Sequence, residues 1–211
     1  MTDMRNLISI PDTEFLAICD VDVEHQGWGL DIAHSHERNV LGREKPVCVA
    51  YNEFEKVLSR DDIDAVVIAT PDHWHAGIAM AAAKAGKDIY GEKPLARTIV
   101  EGRNMVNTIK RYGRVFQMGT QTRSHQPVQR IINLLRNGAI GKIRKVEVSL
   151  PQYGGGPVYQ PKPVPEGFDY DRWLGPAPWA PYQPERCHAY FRTIVDYSGG
   201  DSVIGTRGRS I

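Results

Sequence analysis

The feature that most restricts the fold of this chain is a series of short apolar segments separated by helical patterns. The segments are residues 14–20, 46–51, 64–70, 87–90 and 115–118. The helical patterns are part of 22–42 and residues 53–59, 75–86 and 98–112. The clearest segment, DAVVIAT at 64–70, is apolar almost throughout and does not alternate. Strands of that kind, interleaved with helices, are typical of a parallel sheet covered on both faces, so we predict an α/β fold.

The pattern changes near residue 120. A helix predicted over 127–137 leads to residues 143–150, which alternate in character as a half-exposed antiparallel strand does. Residues 151–184 are rich in Pro, Gly, Tyr and Trp, and we interpret them as a long ordered loop. We therefore divide the 211 residues into a first domain, 1–119, and the start of an α+β domain, 120–211.

Composition excludes several classes of protein. The net charge of +1 gives no basic surplus for nucleic acid, and no apolar run approaches the roughly 18 residues of a membrane span. The three cysteines, Cys19, Cys48 and Cys187, lie far apart, which argues against a disulfide framework and a cysteine-based zinc site. The start, MTDMRNLISIPD, has no signal-peptide pattern. We expect a cytoplasmic protein, or a periplasmic or exported one if a signal precedes this start.

Polar residues follow three of the apolar segments, and open parallel sheets bind ligands outside the carboxyl ends of their strands. Asp20 ends the first segment, where a carboxylate can accept hydrogen bonds from ribose hydroxyls; an exposed or helix-capping aspartate is the alternative. Thr70, Pro71, His73 and His75 follow the third segment. The two imidazoles lack an evident third ligand, so we predict no metal site. One imidazole capping the helix and one packed is the competing interpretation.

The sequence GEKPLA at 91–96 ends the fourth segment. Lys93 in this position would direct a cation into the ligand crevice, and Glu92 would accept hydrogen bonds from a ribose. Pro94 restricts Lys93 to extended geometry and removes one backbone donor. A plain Glu–Lys pair in a surface turn is the alternative.

The order of these motifs resembles one family. An Asp-ended strand, ATPDHWH at 69–75, EKPLA at 92–96 and VFQMGTQ at 115–121 are similar to the Gfo/Idh/MocA oxidoreductases over about residues 10–200. The resemblance implies a Rossmann-type domain followed by a C-terminal α/β domain, and a sugar or polyol as substrate. It also implies NAD as cofactor, with NADP less favoured because of Asp20, and homo-oligomers among full-length relatives.

The resemblance also implies roles for single residues. Lys93 and His188 would be catalytic, and Arg186, Tyr190 and Arg192 would contact the substrate. The residues that would bind the cofactor are Asp20, Thr70, Pro71, His73, His75, Glu92, Lys93 and Gln121.

The two ends of the chain depart from the family pattern. No GxGxxG turn precedes residue 14, and residues 1–10 look like the later part of the helix that follows such a turn. Residues 202–211 resemble no family segment, and the helix with the usual catalytic histidine is not found. The sequence therefore predicts a chain truncated at both ends, lacking the first strand and its glycine loop.

Three functions remain open on the sequence. The first is an oxidoreductase that transfers hydride between a sugar or polyol and the nicotinamide. The second is a redox-neutral NAD-dependent glycosidase that acts on N-acetylgalactosamine, which Trp173, RCHAYFR at 186–192 and DYSGG at 196–200 favour. The third is a fragment without a competent site.

Overall fold

The computed structural model describes residues 2–148, 160–188 and 190–198, without the side chains of Thr2, His188 and Tyr190. The chain forms two compact units. Unit 1 consists of Met1–Asp64, Lys162–Gly175 and Trp179–Tyr182. Unit 2 consists of Ala65–Pro161, Pro176–Pro178 and Gln183–Ile211.

Helices and strands alternate through the first part of the described chain, as predicted. The strands are β1 (Ala17–Cys19), β2 (Val49–Tyr51), β3 (Ala65–Ile68), β4 (Asp88–Gly91) and β5 (Phe116–Met118). The α-helices are α1 (Thr2–Leu7), α2 (Val23–Asn39), α3 (Phe54–Leu58), α4 (Asp72–Lys84), α5 (Ile99–Tyr112), α6 (Gln126–Arg136), α7 (Tyr170–Leu174), α8 (Pro184–His188) and α9 (Val195–Ser198). Two 3-10 helices span Gln121–Ser124 and Tyr190–Thr193.

Unit 1 is built on a parallel pair of strands, in which Ala17 of β1 lies opposite Val49 of β2. The following helix, α2, begins where the Asp22 side chain accepts a hydrogen bond from the Glu24 amide. This hydrogen bond satisfies one of the backbone N–H groups that have no partner within the helix at its first turn. The core beside the strands is formed by Met4, Ala33 and Cys48, with Ile8, Phe15, Ile18, Leu30 and Ile32 packed against it.

A second segment of unit 1 is held by aromatic packing. Tyr170 stacks on Trp173 with ring centroids 6.0 Å apart and meets Tyr182 edge-on at 5.3 Å. Phe168 lies 5.7 Å from Tyr182 and bridges to Asp22. The prediction of one long loop over 151–184 is therefore wrong for residues 170–174, because buried aromatic side chains stabilise helix α7 there. Residues 151–159 lie outside the described residues.

Unit 2 contains a three-stranded parallel sheet in the order β3-β4-β5. Helix α4 begins at Asp72, three residues earlier than the predicted start at 75, and places His73 and His75 in its first turn. Helix α5 begins with a capping box between Thr98 and Glu101. It ends at Gly113, whose φ of +63° is a conformation that favours glycine.

The prediction of a strand over 143–150 is not met in residues 143–148, which have no regular secondary structure. Residues 149 and 150 lie outside the described part. Alternation alone was the evidence for this strand, and alternation requires a neighbouring strand before it becomes a sheet.

Two glycines of α2 give a matched test of its packing on β1. A Cβ at Gly29 would lie 2.7 Å from Ile18 Cγ2, whereas a Cβ at Gly27 would meet nothing within 4 Å. Because Ile18 is branched at Cβ, it cannot turn that methyl aside easily. We expect Gly29→Ala to lower the free energy of unfolding by about 1–3 kcal/mol. We expect Gly27→Ala to raise it by about 0.5–1 kcal/mol. Urea unfolding checks both, and equal effects would contradict the close approach.

Candidate functional site

The three strands of unit 2 end at one edge of their sheet. Ile68, Gly91 and Met118 are in register across β3, β4 and β5. The ladder continues one residue further, since the Glu92 amide donates to Ile68 O at 2.8 Å and the Gly119 amide donates to Gly91 O at 2.8 Å. The polar residues that follow these strands therefore leave the same edge of the sheet.

Glu92 and Gln121 meet at this edge. Gln121 Nε2 donates a hydrogen bond to Glu92 Oε1, and the Lys93 amide lies 3.3 Å from Glu92 Oε2. The Glu92 carboxylate is partly buried and is fixed by the Lys93 amide and by Gln121 of the 3-10 helix after β5. Sequence reasoning named both residues but did not predict their contact.

Gly119 is a site residue that sequence reasoning missed. A Cβ at this position would overlap Glu92 Oε1 and lie 3.2 Å from Gln121 Nε2. Glycine therefore leaves room for the Glu92 carboxylate in the position where it meets Gln121. The signal was present in the sequence, because Gly119 directly follows the predicted strand at 115–118, and a glycine in a strand often marks a close approach.

His75 links the ends of β3 and β4. Its Nε2 lies 2.8 Å from Thr70 O and its Nδ1 lies 2.6 Å from Pro94 O. The residue is buried, with 4% of its surface exposed. The peptide bond between Lys93 and Pro94 is cis. Thr70 Oγ1 is also buried, and within the described residues it makes no hydrogen bond.

Burial lowers the pKa of His75 below its usual value, against the hydrogen bonds to Pro94 and Thr70, which raise it. A histidine whose pKa is lower in the folded state stabilises the fold above the unfolded value of about 6.5. That contribution is lost as the pH falls through the folded pKa. We expect the difference in unfolding free energy between wild type and His75→Asn to shrink as the pH falls from 7.5 to 5. Urea unfolding measures it, and a constant difference would contradict the prediction.

His73 has a different environment from His75. Its ring lies 5.1 Å from the ring of Tyr197, which is fully buried. Arg186 Nη1 donates to Tyr197 Oη at 3.0 Å, and Arg97 Nη1 donates to Asp196 O at 2.6 Å. These contacts fasten the C-terminal helices of unit 2 to α4 and to the residues before α5.

The predicted substrate contacts are only partly described. Arg186 holds Tyr197, and its Nε is buried without a hydrogen bond to any described residue. Arg192 is exposed and lies over the Phe191 ring at 4.3 Å. The side chains of His188 and Tyr190 lie outside the described part of the chain.

Asp20 lies at the carboxyl end of β1 in unit 1. Its amide donates to Tyr51 O at 3.1 Å, and its Oδ1 accepts from the Asp22 amide at 3.0 Å. His25 Nδ1 lies 3.6 Å from the other carboxylate oxygen. Burial raises the pKa of Asp20, while the Asp22 amide and His25 oppose that shift.

The described residues contain neither a metal-binding cluster nor a membrane-spanning helix. No group of three or more His, Cys, Asp or Glu in residues 2–148, 160–188 and 190–198 is arranged to hold a metal ion. None of the described helices combines the length and apolar character needed to cross a lipid bilayer.

Comparison with protein families matches this architecture. An oxidoreductase family with an NAD-binding Rossmann fold matches residues 10–120, and its C-terminal α/β domain matches residues 124–208. The chain belongs to the Gfo/Idh/MocA oxidoreductase family. The predicted family and the predicted Rossmann-type fold class are thereby confirmed.

Single relatives agree with this assignment. The chain is 34% identical over 132 residues to glycosyl hydrolase family 109 protein 1 of a Shewanella strain, covering 62% of this chain and 28% of the relative. It is 27% identical to myo-inositol 2-dehydrogenase from Lactobacillus plantarum, with a TM-score of 0.54 over 66% of this chain and 38% of that one. A 3-ketoreductase from Actinomadura kijaniata, solved with NADP and TDP-benzene, shares the fold at 23% identity, with a TM-score of 0.57 over 67% of this chain and 39% of that one.

The chain thus spans well under half the length of these relatives.

Proposed function

We propose that this chain is part of an NAD(P)-dependent oxidoreductase that acts on a sugar, an inositol or a related polyol. The proposal is carried by the contact between Glu92 and Gln121 beside Lys93, at the edge of the three-stranded sheet, in a member of an oxidoreductase family. When bound, the nicotinamide exchanges a hydride with a carbon of the substrate.

The residues at this edge fit such a cofactor. Thr70 Oγ1 is buried and makes no hydrogen bond to a described residue, so a ligand can use it. The Glu92 carboxylate is held in place by Gln121 and can accept hydrogen bonds from ribose hydroxyls. We assign Pro71, His73, His75 and Gln121 to the same cofactor side, as the family resemblance implies.

Lys93 is the residue to which we assign the chemistry. Its cation would orient a substrate hydroxyl and stabilise negative charge on that oxygen. Together with His188 it would move the hydroxyl proton. Arg186, Tyr190 and Arg192 are proposed to contact the substrate.

We also propose that a domain boundary lies near residue 120 and that the protein is cytoplasmic.

Calorimetric titration of NADH into the purified chain, with a thermal melt alongside, tests the proposal. We expect saturable one-site binding and a raised melting temperature, because a ligand that binds only the folded state stabilises it. NAD reduction is then followed with inositols and hexoses. Absence of both binding and a cooperative melt would indicate a fragment without a competent site.

A redox-neutral glycosidase is the second candidate, because the relative at 34% identity is named as a glycosyl hydrolase. Such an enzyme would release nitrophenol from nitrophenyl N-acetylgalactosaminide without net formation of NADH. The oxidoreductase would form NADH and leave the glycoside intact. Trp173 gives no separate support for the glycosidase, since it is buried in the aromatic cluster of unit 1.

Asp20 provides a test of cofactor preference. We propose that its carboxylate accepts hydrogen bonds from the ribose hydroxyls of NAD and repels the additional phosphate of NADP. We expect Asp20→Asn to weaken NADH binding by about 10-fold, the effect of losing a hydrogen bond to a charged group, and to leave NADPH binding unchanged or stronger. Titration of both cofactors measures this, with the exposed Asp12→Asn as control. Equal losses for both cofactors would contradict the assignment.

A further inference from the structure

His75 lies between the turns that follow β3 and β4, beyond the last backbone hydrogen bond between these two strands. The hydrogen-bond ladder between β3 and β4 stops at the Glu92 amide, which donates to Ile68 O. Two residues past β3 lies Thr70, and three residues past β4 lies Pro94. The His75 ring spans from Thr70 O to Pro94 O, at 2.8 Å and 2.6 Å. Because a neutral imidazole has one N–H, it can replace the missing backbone hydrogen bond on one of these two sides.

We propose that His75 is a positioning residue, which holds the turn of Glu92, Lys93 and Pro94 in place by donating its Nδ1–H to Pro94 O. It acts through the backbone of this turn. Holding this turn also places the Lys93 amine, and that consequence matters for catalysis only if the proposed function is correct.

The chemistry of the ring decides which nitrogen carries the proton. Both partners are carbonyl oxygens and only accept, whereas a neutral imidazole has a single N–H. The shorter contact is from Nδ1 to Pro94 O, so the proton is assigned to Nδ1. Burial favours the neutral ring, and of the two charged groups that act on it, Lys93 favours the neutral form and Glu92 the charged form.

The contrast with His73 supports this division of roles. His73 lies two residues earlier in the same turn of α4, and its ring lies against Tyr197 at 5.1 Å. His75 instead meets the carbonyls of two strand-end turns. The two imidazoles of the HWH sequence therefore hold different parts of unit 2 and do not form a chelating pair.

Three variants separate the two nitrogens. The amide nitrogen of asparagine lies close to the position of imidazole Nδ1, and that of glutamine lies close to the position of Nε2. His75→Asn therefore keeps the donor to Pro94 O, His75→Gln loses it, and His75→Leu removes both nitrogens. Hydrogen exchange of the chain without cofactor, followed by mass spectrometry, reports on the turn directly.

We expect the amides of residues 92, 93 and 95–97 to exchange about 5- to 10-fold faster in His75→Leu and His75→Gln, the effect of losing one hydrogen bond. His75→Asn should exchange within about two-fold of wild type. Residues 105–112 of α5 are the internal control and should not change in any variant. If His75→Leu fails to show a cooperative melt, the comparison of Asn with Gln still decides.

Two results would overturn the inference. One is an exchange rate of the turn that is the same in all variants, and the other is an equal change in Asn and Gln. NADH titration of the same variants separates this inference from the proposed function, since the exchange experiment needs no cofactor. If wild type binds NADH, His75→Gln should lower kcat and weaken NADH binding, because the turn carries both Lys93 and Glu92, whereas His75→Asn should change neither. A Kd that weakens equally in Asn and Gln would instead show a direct cofactor contact.

Discussion

Replacement of Lys93 by alanine is expected to lower kcat/KM for polyol oxidation by about 1,000-fold, while the Kd for NADH changes by less than about three-fold. A cation that stabilises developing charge on oxygen and assists proton transfer contributes about 100- to 10,000-fold to such a reaction. The groups that we propose to bind the cofactor at this edge, Thr70, Glu92 and Gln121, stay in place in this variant. Steady-state kinetics and calorimetry on the same preparation measure the two quantities.

The controls for this experiment lie in the same unit. Lys84→Ala removes a cation from the exposed last turn of α4 and should leave kcat/KM unchanged. Lys93→Arg keeps the charge but cannot release a proton near neutral pH. Activity retained in Lys93→Arg would assign an electrostatic role to Lys93, and activity lost would assign it proton transfer. Equal losses in Lys84→Ala and Lys93→Ala would contradict a specific role.

Much of the fold could be predicted because periodicity and turn residues are local signals. The apolar segments at 64–70, 87–90 and 115–118 became β3, β4 and β5, since each is a short apolar run bounded by polar or turn residues. The boundaries of elements differ more from the prediction. The helix predicted from residue 75 begins at Asp72, with Pro71 as its N-cap. Proline fits at this end, because the first residues of a helix do not use their backbone N–H groups for hydrogen bonds within the helix.

The candidate site was predicted residue by residue, but its contacts were not. Sequence order placed Glu92 and Gln121 after neighbouring strands, and the register of the sheet brought them together. No sequence pattern indicates that both nitrogens of His75 meet carbonyl oxygens, since this depends on the path of two turns. The strand predicted over 143–150 failed for the same reason in residues 143–148, because strand formation depends on a partner and not on alternation alone.

Gly119→Ala is expected to lower the free energy of unfolding by about 1.5–3 kcal/mol, the effect of losing a hydrogen bond to a charged group, and to weaken NADH binding by about 100-fold. The new methyl would overlap Glu92 Oε1 and force the carboxylate away from Gln121. Because this oxygen ends a flexible side chain, the carboxylate moves and the lost hydrogen bond sets the size of the effect. Urea unfolding and NADH titration measure the two effects.

A double-mutant cycle shows whether the effect passes through Glu92. In a Glu92→Ala background the overlapping oxygen is gone, so we expect Gly119→Ala to lower the free energy of unfolding by less than about 1 kcal/mol. Gly102→Ala in α5 is the matched control, since its Cβ would come no closer than 3.9 Å to Ala96. There the change should raise stability by about 0.5–1 kcal/mol through helix propensity. If Gly119→Ala lowers stability as much without Glu92 as with it, backbone geometry at residue 119, and not the carboxylate, requires the glycine.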